Sequence, residues 1–208
     1  MSEKLHQLIL QIKDCRVCET ELPCGPHPVF TLGQSSKILI VGQAPGKKVH
    51  LSGIPWDDQS GKELRNWLGV SPADFYDTQK FSILPMGLCY PGKGKNGDLP
   101  PRKECARLWH TPILENLHHI KLTLLIGTYA QRYYLKNEKY TNLTETVKNY
   151  DHYLPQFFPL PHPSPRNFMW RTRNPWFKEE VLPILQQLVK QILGQDDTIS
   201  NIKGLKQL

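Results

Sequence analysis

Four apolar residues in a row, Ile38-Leu39-Ile40-Val41, run without polar alternation into a loop of small residues, Gly42-Gln43-Ala44-Pro45-Gly46. A strand with one face in water alternates apolar and polar side chains. An unbroken apolar run belongs to a strand buried on both faces, in a sheet covered by helices. The loop then stands at the carboxyl end of that strand, the edge of an open α/β sheet where ligands bind. Gly42 and Gly46 let the backbone approach a ligand with no Cβ in between, and Pro45 stiffens the turn.

Residues 81–85, 122–127 and 157–161 read as three further strands, each running into a loop or a helical segment. Leu5, Leu8, Ile9 and Ile12 at helical spacing predict a first helix capped by Ser2 and ending near Asp14. Ser60-Gly61-Lys62-Glu63 reads as a capping box that starts a helix through Leu68, stopped by Gly69, with Leu64, Trp67 and Leu68 facing inward. A helix from Pro101-Arg102 is expected to break at Thr111-Pro112 and restart there, another covers residues 128–135, and a terminal helix opens at Asn174-Pro175 with a kink at Pro183. Residues 93–101 read as a loop rich in Gly, Lys and Pro. The alternation predicts an α/β fold, a three-layer α/β/α arrangement with a four-stranded, mostly parallel sheet. With 208 residues and 39% hydrophobic content there is material for one core, so residues 1–194 are expected to form a single domain and 195–208 a tail.

Lys and Arg number 26 against 19 Asp and Glu, a formal charge of +7 that favours polyanionic partners. The chain opens Met1-Ser2-Glu3-Lys4 with no basic region leading into an apolar core, and no run reaches membrane-spanning length. A soluble, cytoplasmic protein without a membrane partner is expected, acting as a monomer. In a reducing compartment, cysteines at 15, 18, 24, 89 and 105 argue for a metal site or buried thiols rather than disulfides. Cys15 and Cys18 form a CxxC at the end of the first helix, and Cys89 and Cys105 sit at the margins of later elements. These four suit one tetrathiolate site pinning the amino-terminal excursion to the loop after the second strand. Four thiolates admit either zinc or an iron–sulfur cluster, and Cys24 is left over as a packed thiol.

Taken together, these pieces resemble the uracil-DNA glycosylase superfamily over residues 8–190. Gly42-Gln43-Ala44-Pro45-Gly46 resembles its first catalytic motif, and Gly53-Ile54-Pro55-Trp56 the GxPF element whose aromatic ring stacks on an extruded base. His162-Pro163-Ser164-Pro165-Arg166-Asn167 is similar to the second motif, closest to the version in the single-strand-selective monofunctional uracil glycosylases. The cysteine spacing resembles that of the iron–sulfur-containing bacterial and archaeal class, which implies a 4Fe-4S cluster on Cys15, Cys18, Cys89 and Cys105, with zinc as the alternative.

The resemblance implies a monofunctional DNA-repair glycosylase that flips uracil or a related deaminated base out of DNA and hydrolyses its N-glycosidic bond. Gly42, Gln43, Ala44, Trp56, Met86, Gly87 and His162 are the expected base-binding residues, with His162 and loop N–H groups donating to the oxygen where charge grows. Where the iron–sulfur class carries a glutamate this chain has Gln43, so the group serving the attacking water is Gln43, Asp57 or Asp58. The asparagine that reads uracil at the end of the second strand is absent. Backbone groups of Met86 or Gly87 must then select the base, or the target is not simply uracil. Ser164, Arg166 and Asn167, with Lys47 and Lys48, are the expected DNA contacts; Lys93, Lys95, Arg102, Lys103, Arg171 and Arg173 add basic charge nearby. Two alternatives stand beside the enzyme: a catalytically weak iron–sulfur protein that binds nucleic acid, and a zinc-stapled α/β protein acting on nucleotides or another small anion.

Overall fold

The computed structural model describes residues 2–95, 97–136 and 142–194; the expected tail at 195–208 lies outside them. Strands β1 (Ile38–Val41), β2 (Phe81–Ile83), β5 (Leu122–Ile126) and β6 (Phe157–Leu160) form one sheet in the order β2-β1-β5-β6. A separate two-stranded ribbon joins β3 (Lys93–Gly94) to β4 (Gly97–Asp98). Every pairing in the large sheet is parallel, with Ile38 opposite both Phe81 and Leu122, and Ile126 opposite Leu160. All four strands are buried almost throughout, as their unalternating sequences require. Pro159 sits in β6, an edge strand, where its missing N–H is tolerated.

Successive side chains on each strand feed opposite layers. Ile38, Ile40, Leu122, Leu124 and Ile126 pack with Leu64, Trp67 and Leu68 of helix Gln59–Leu68 and with Leu185 and Val189 of helix Leu182–Leu193. Leu39, Val41 and Leu125 pack on the other face with Leu5, Leu8 and Ile12 of helix Glu3–Lys13 and with Ile113. This is the expected three-layer α/β/α fold. Among the described residues no helix is long and apolar enough to cross a membrane.

Several local readings are corrected. Asp58, not Ser60, caps helix Gln59–Leu68: its side chain accepts from Gly61 N–H at 2.8 Å, while Glu63 accepts from the Trp67 indole. A short helix, Lys47–Ser52, follows the glycine loop at once, and another, Pro72–Tyr76, starts on a Ser71 cap. The chain does not break at Thr111-Pro112. His110 and Thr111 both keep right-handed helical angles, and a widened π-turn stretch, Ala106–His110, absorbs the proline that follows it. A second π stretch, Phe177–Val181, precedes Pro183 in the same way, so the expected kink is a widening of the ladder just ahead of the ring.

Candidate nucleic-acid active site

In the order β2-β1-β5-β6 the chain winds away from β1 in both directions, which makes the junction of β1 and β5 a topological switch point where carboxyl-end loops splay to leave a crevice. A cleft of 670 Å³ occupies it, lined by the loop after β1 (Gly42 to Gly46), Gly127 and Thr128 after β5, and His162 with the loop beyond it after β6. Trp56, Asp58 and Ser60 form one wall, and Gly97 and Asp98 of the ribbon reach the mouth. The first loop, the tryptophan and the histidine therefore face one space.

Trp56 is held by its backbone. Its φ of 58° lies in the left-handed region, a conformation that costs a non-glycine residue about 1 kcal/mol or more. Tyr76 hydroxyl donates to Pro55 O at 3.0 Å and Arg65 to Trp56 O at 3.4 Å, tying down both peptides. Two glycines make the slot. A Cβ on Gly42 would stand 2.8 Å from Trp56 Cζ2, and one on Gly61 would fall on the Trp56 carbonyl oxygen. The indole lies 5.6 Å from the His162 ring, tilted by 33°.

His162 has a defined protonation. Burial pushes its pKa down to about 4, against a smaller upward pull from the Asp58 carboxylate, so the ring is neutral near pH 7. Ser164 N–H donates to His162 Nδ1 at 3.2 Å, which leaves the single ring proton on Nε2. Asn167 Nδ2 donates to the His162 carbonyl at 2.8 Å and fixes the loop. The result is a neutral N–H donor. Phe168 and Met169, immediately after this loop, are exposed.

The convergence agrees with the sequence: residues 30–186 match the family profile described as the uracil DNA glycosylase superfamily. The chain belongs to the uracil DNA glycosylase superfamily. Its remaining expected site residues separate into two groups. Gly42, Gln43, Ala44, Asp58, Ser164, Arg166 and Asn167 line the cleft together with Trp56 and His162. Met86 and Gly87 do not: Met86 is packed in the core, and their N–H groups donate to Gly42 O and Gln43 O. Lys47, Lys48 and Asp57 stand outside the lining, with Lys48 Nζ 4.0 Å from Asp57. Arg102 pairs with Glu21 and Glu104, and Arg171 with Glu63, so neither stands free as a phosphate contact.

Three polar cleft residues went unmarked as site residues in the sequence. Asp98 reaches over Gly46, Ser60 is buried in the wall, and Thr128 begins helix Thr128–Leu135. The ribbon that carries Asp98 is tied to both motifs: Gln43 Nε2 donates to Leu99 O at 3.4 Å, and the Arg166 guanidinium lies against Gly97. Asn96-Gly97, a hairpin signal, was the available clue.

Cys18, Cys89 and Cys105 are buried and Cys15 half-buried, whereas Cys24 is exposed. Burial pushes the Cys89 thiol up to about 11 and Cys105 to about 12, and each of the two is raised further by the neighbouring cysteines, Cys15 and Cys18 among them. Each also receives a backbone N–H, from His27 and Leu88 respectively, and Arg102 donates to Cys18. Among the described residues no three His, Cys, Asp or Glu side chains close round a point fit for a single metal ion.

Proposed function

We propose that this superfamily member is a monofunctional DNA glycosylase that releases uracil or a related deaminated base from DNA. The observation that carries the reading is the convergence of Gly42 to Gly46, Trp56 and His162 on one switch-point cleft. A nucleotide taken out of the stack would lay its base on the Trp56 indole. As the C1′–N bond breaks, its electron pair passes to the base, and His162 Nε2–H donates to the base oxygen that gains the charge. Asp58 faces the electron-poor sugar; water bonds to C1′ and gives up a proton to the carboxylate. No lysine stands in a motif position suited to an imine with the sugar, so the product is an abasic site in an intact strand.

The loop from His162 to Asn167 reads as the single-strand-selective form of the motif, with Ser164, Arg166 and Asn167 at the mouth and Phe168 and Met169 beside them to fill the gap left in the stack. Lys47 and Lys48 supply phosphate contacts outside the lining. The four cysteines suit a 4Fe-4S cluster better than zinc. The resemblance of the cysteine spacing to the iron–sulfur class carries that preference, and the backbone N–H groups of His27 and Leu88 at Cys89 and Cys105 are donors of the kind that cluster sulfurs accept. Bound there, the cluster supplies a cross-link between the amino-terminal segment and the loop after β2, with no part in bond cleavage.

One observation favours a non-catalytic, nucleic-acid-binding alternative: the Gln43 amide, at the motif's acidic position, is engaged with Leu99 O. A release assay decides between them. Purified protein incubated with uracil-containing single- and double-stranded oligonucleotides is expected to yield free uracil and alkali-labile strands. Binding without release from a panel of deaminated bases would leave the alternative.

A further inference from the structure

Strand β2 stands at the edge of the large sheet, with β1 on its inner side. Its outer side is closed one residue at a time. At Ile83, Thr31 N–H donates to Ile83 O at 2.9 Å and Ile83 N–H to Thr31 O at 2.6 Å. Two residues on, Pro85 has no N–H to offer, which an edge position tolerates, and its carbonyl accepts from His110 Nε2 at 3.2 Å.

The inner side of the same peptide faces the loop after β1. Met86 N–H donates to Gly42 O at 2.9 Å, and Gly87 N–H to Gln43 O at 2.9 Å. One planar unit, the Pro85–Met86 peptide, therefore carries His110 on its oxygen and Gly42 on its nitrogen, so turning it disturbs both bonds at once. Gly42 has little latitude to follow, because a Cβ there would already stand 2.8 Å from Trp56 Cζ2. Gly87 is closed in as well: a Cβ on it would meet Pro101 at 3.0 Å and the Arg102 nitrogen at 3.2 Å.

His110 is itself held fast. It is fully buried at the end of the widened stretch Ala106–His110, with the Tyr133 ring edge-on at 5.7 Å and the Tyr134 hydroxyl 2.6 Å from Nδ1. Burial lowers its pKa to about 4 and keeps the ring neutral near pH 7. A carbonyl oxygen only accepts, so the single ring proton sits on Nε2 and Nδ1 accepts from Tyr134. Three donors then point the same way, Tyr134 to His110, His110 to Pro85 and Met86 to Gly42, and hydrogen bonds in such a row strengthen one another.

We propose that His110, which lies outside the cleft lining, is a positioning residue for base release: through the Pro85–Met86 peptide it places Gly42 and Gln43 of the first motif, and Tyr134 selects the tautomer able to do so. The inference deepens the glycosylase reading and rests on it.

Two substitutions separate the bond from the bulk. In His110→Gln the amide reaches the place of Nε2 and still donates to Pro85 O, whereas in His110→Asn it reaches only the Nδ1 side. Single-turnover uracil release at saturating enzyme is expected to slow by about tenfold to a hundredfold in His110→Asn, with the half-saturating concentration unchanged, and to stay close to wild type in His110→Gln. Amide hydrogen exchange followed by nuclear magnetic resonance is expected to show Met86 and Gly87 losing protection in His110→Asn and keeping it in His110→Gln. Tyr134→Phe keeps the imidazole but frees it to take the other tautomer, so it should move both readouts the same way as His110→Asn; it decides the matter if His110→Asn does not fold. Wild-type protection at Met86 and Gly87 in these variants overturns the inference even where release slows, and so does a His110→Gln as slow as His110→Asn. No release by the wild type removes the glycosylase reading. Exchange then still decides the loop: protection lost in His110→Asn and kept in His110→Gln upholds its placement by His110, and equal protection overturns it.

Discussion

His162 should work as a neutral donor across the whole physiological range. With its pKa held at about 4 by burial, roughly one ring in a thousand is protonated at pH 7, so the donor is the Nε2–H left by the Ser164 contact. Removing one donor from a growing anion in a water-poor site costs about a hundredfold to a thousandfold, or about 3 to 4 kcal/mol of barrier. In single-turnover uracil release between about pH 5 and 8, wild type should show no inflection at the free-histidine value, and His162→Ala should run parallel and lower by that factor. A step near pH 6.5 that disappears in His162→Ala would mean that the imidazolium is the acting form. The reasoning from burial and tautomer would then be refuted.

His110 is fully buried and its pKa is lowered to about 4 by burial, so the unfolded chain binds more protons than the folded one between that value and the ordinary one. Stability from this residue is complete above about pH 6.5, falls as pH drops through the window, and is down by about 2 kcal/mol near pH 5; urea unfolding at several pH values should show this, with a smaller slope in His110→Asn. Gly42→Ala pushes a methyl group toward the Trp56 ring from 2.8 Å, and should cut base release by about tenfold with a shifted near-ultraviolet tryptophan signal and the melting temperature nearly kept. Asp58→Asn keeps an N-cap but removes the charge, so release should fall by about a hundredfold at unchanged stability, whereas Asp58→Ala should also lose about 1 kcal/mol on unfolding. Cys105→Ser should abolish bound iron and visible absorbance and lower the melting temperature, and Cys24→Ser should leave all three unchanged; iron analysis and absorbance spectra check both.

The sheet was legible because its strands have no alternative. Ile38–Val41 and Leu122–Ile126 are apolar at every position but Thr123, and only a doubly covered sheet accepts such runs. Helix limits marked by glycine were equally plain, as at Gly69, which takes the left-handed cap. What failed was chosen by tertiary contact. Asp58 and Ser60 are both good caps, and the chain uses Asp58 because Gly61 must lie on the Trp56 carbonyl. A proline after a helical stretch signals a break unless a widened turn has already released its hydrogen-bonding partner, as happens before both Pro112 and Pro183. In the site, the motif residues Gly42 to Gly46, Trp56 and His162 could be named from their order. Asp98 and Ser60 could not, because their relevance comes from a ribbon folding over the mouth and from the burial of a wall.

Two positions without side chains decide where an indole sits. Any drift at residue 42 or 61 toward even alanine is felt first by Trp56, and a smaller ring at 56 would open a void between them that neither glycine can fill. The three positions are thus sterically coupled: a substitution that alters the aromatic surface needs matching changes at the two flanking sites, or it surrenders the wall against which a base would rest.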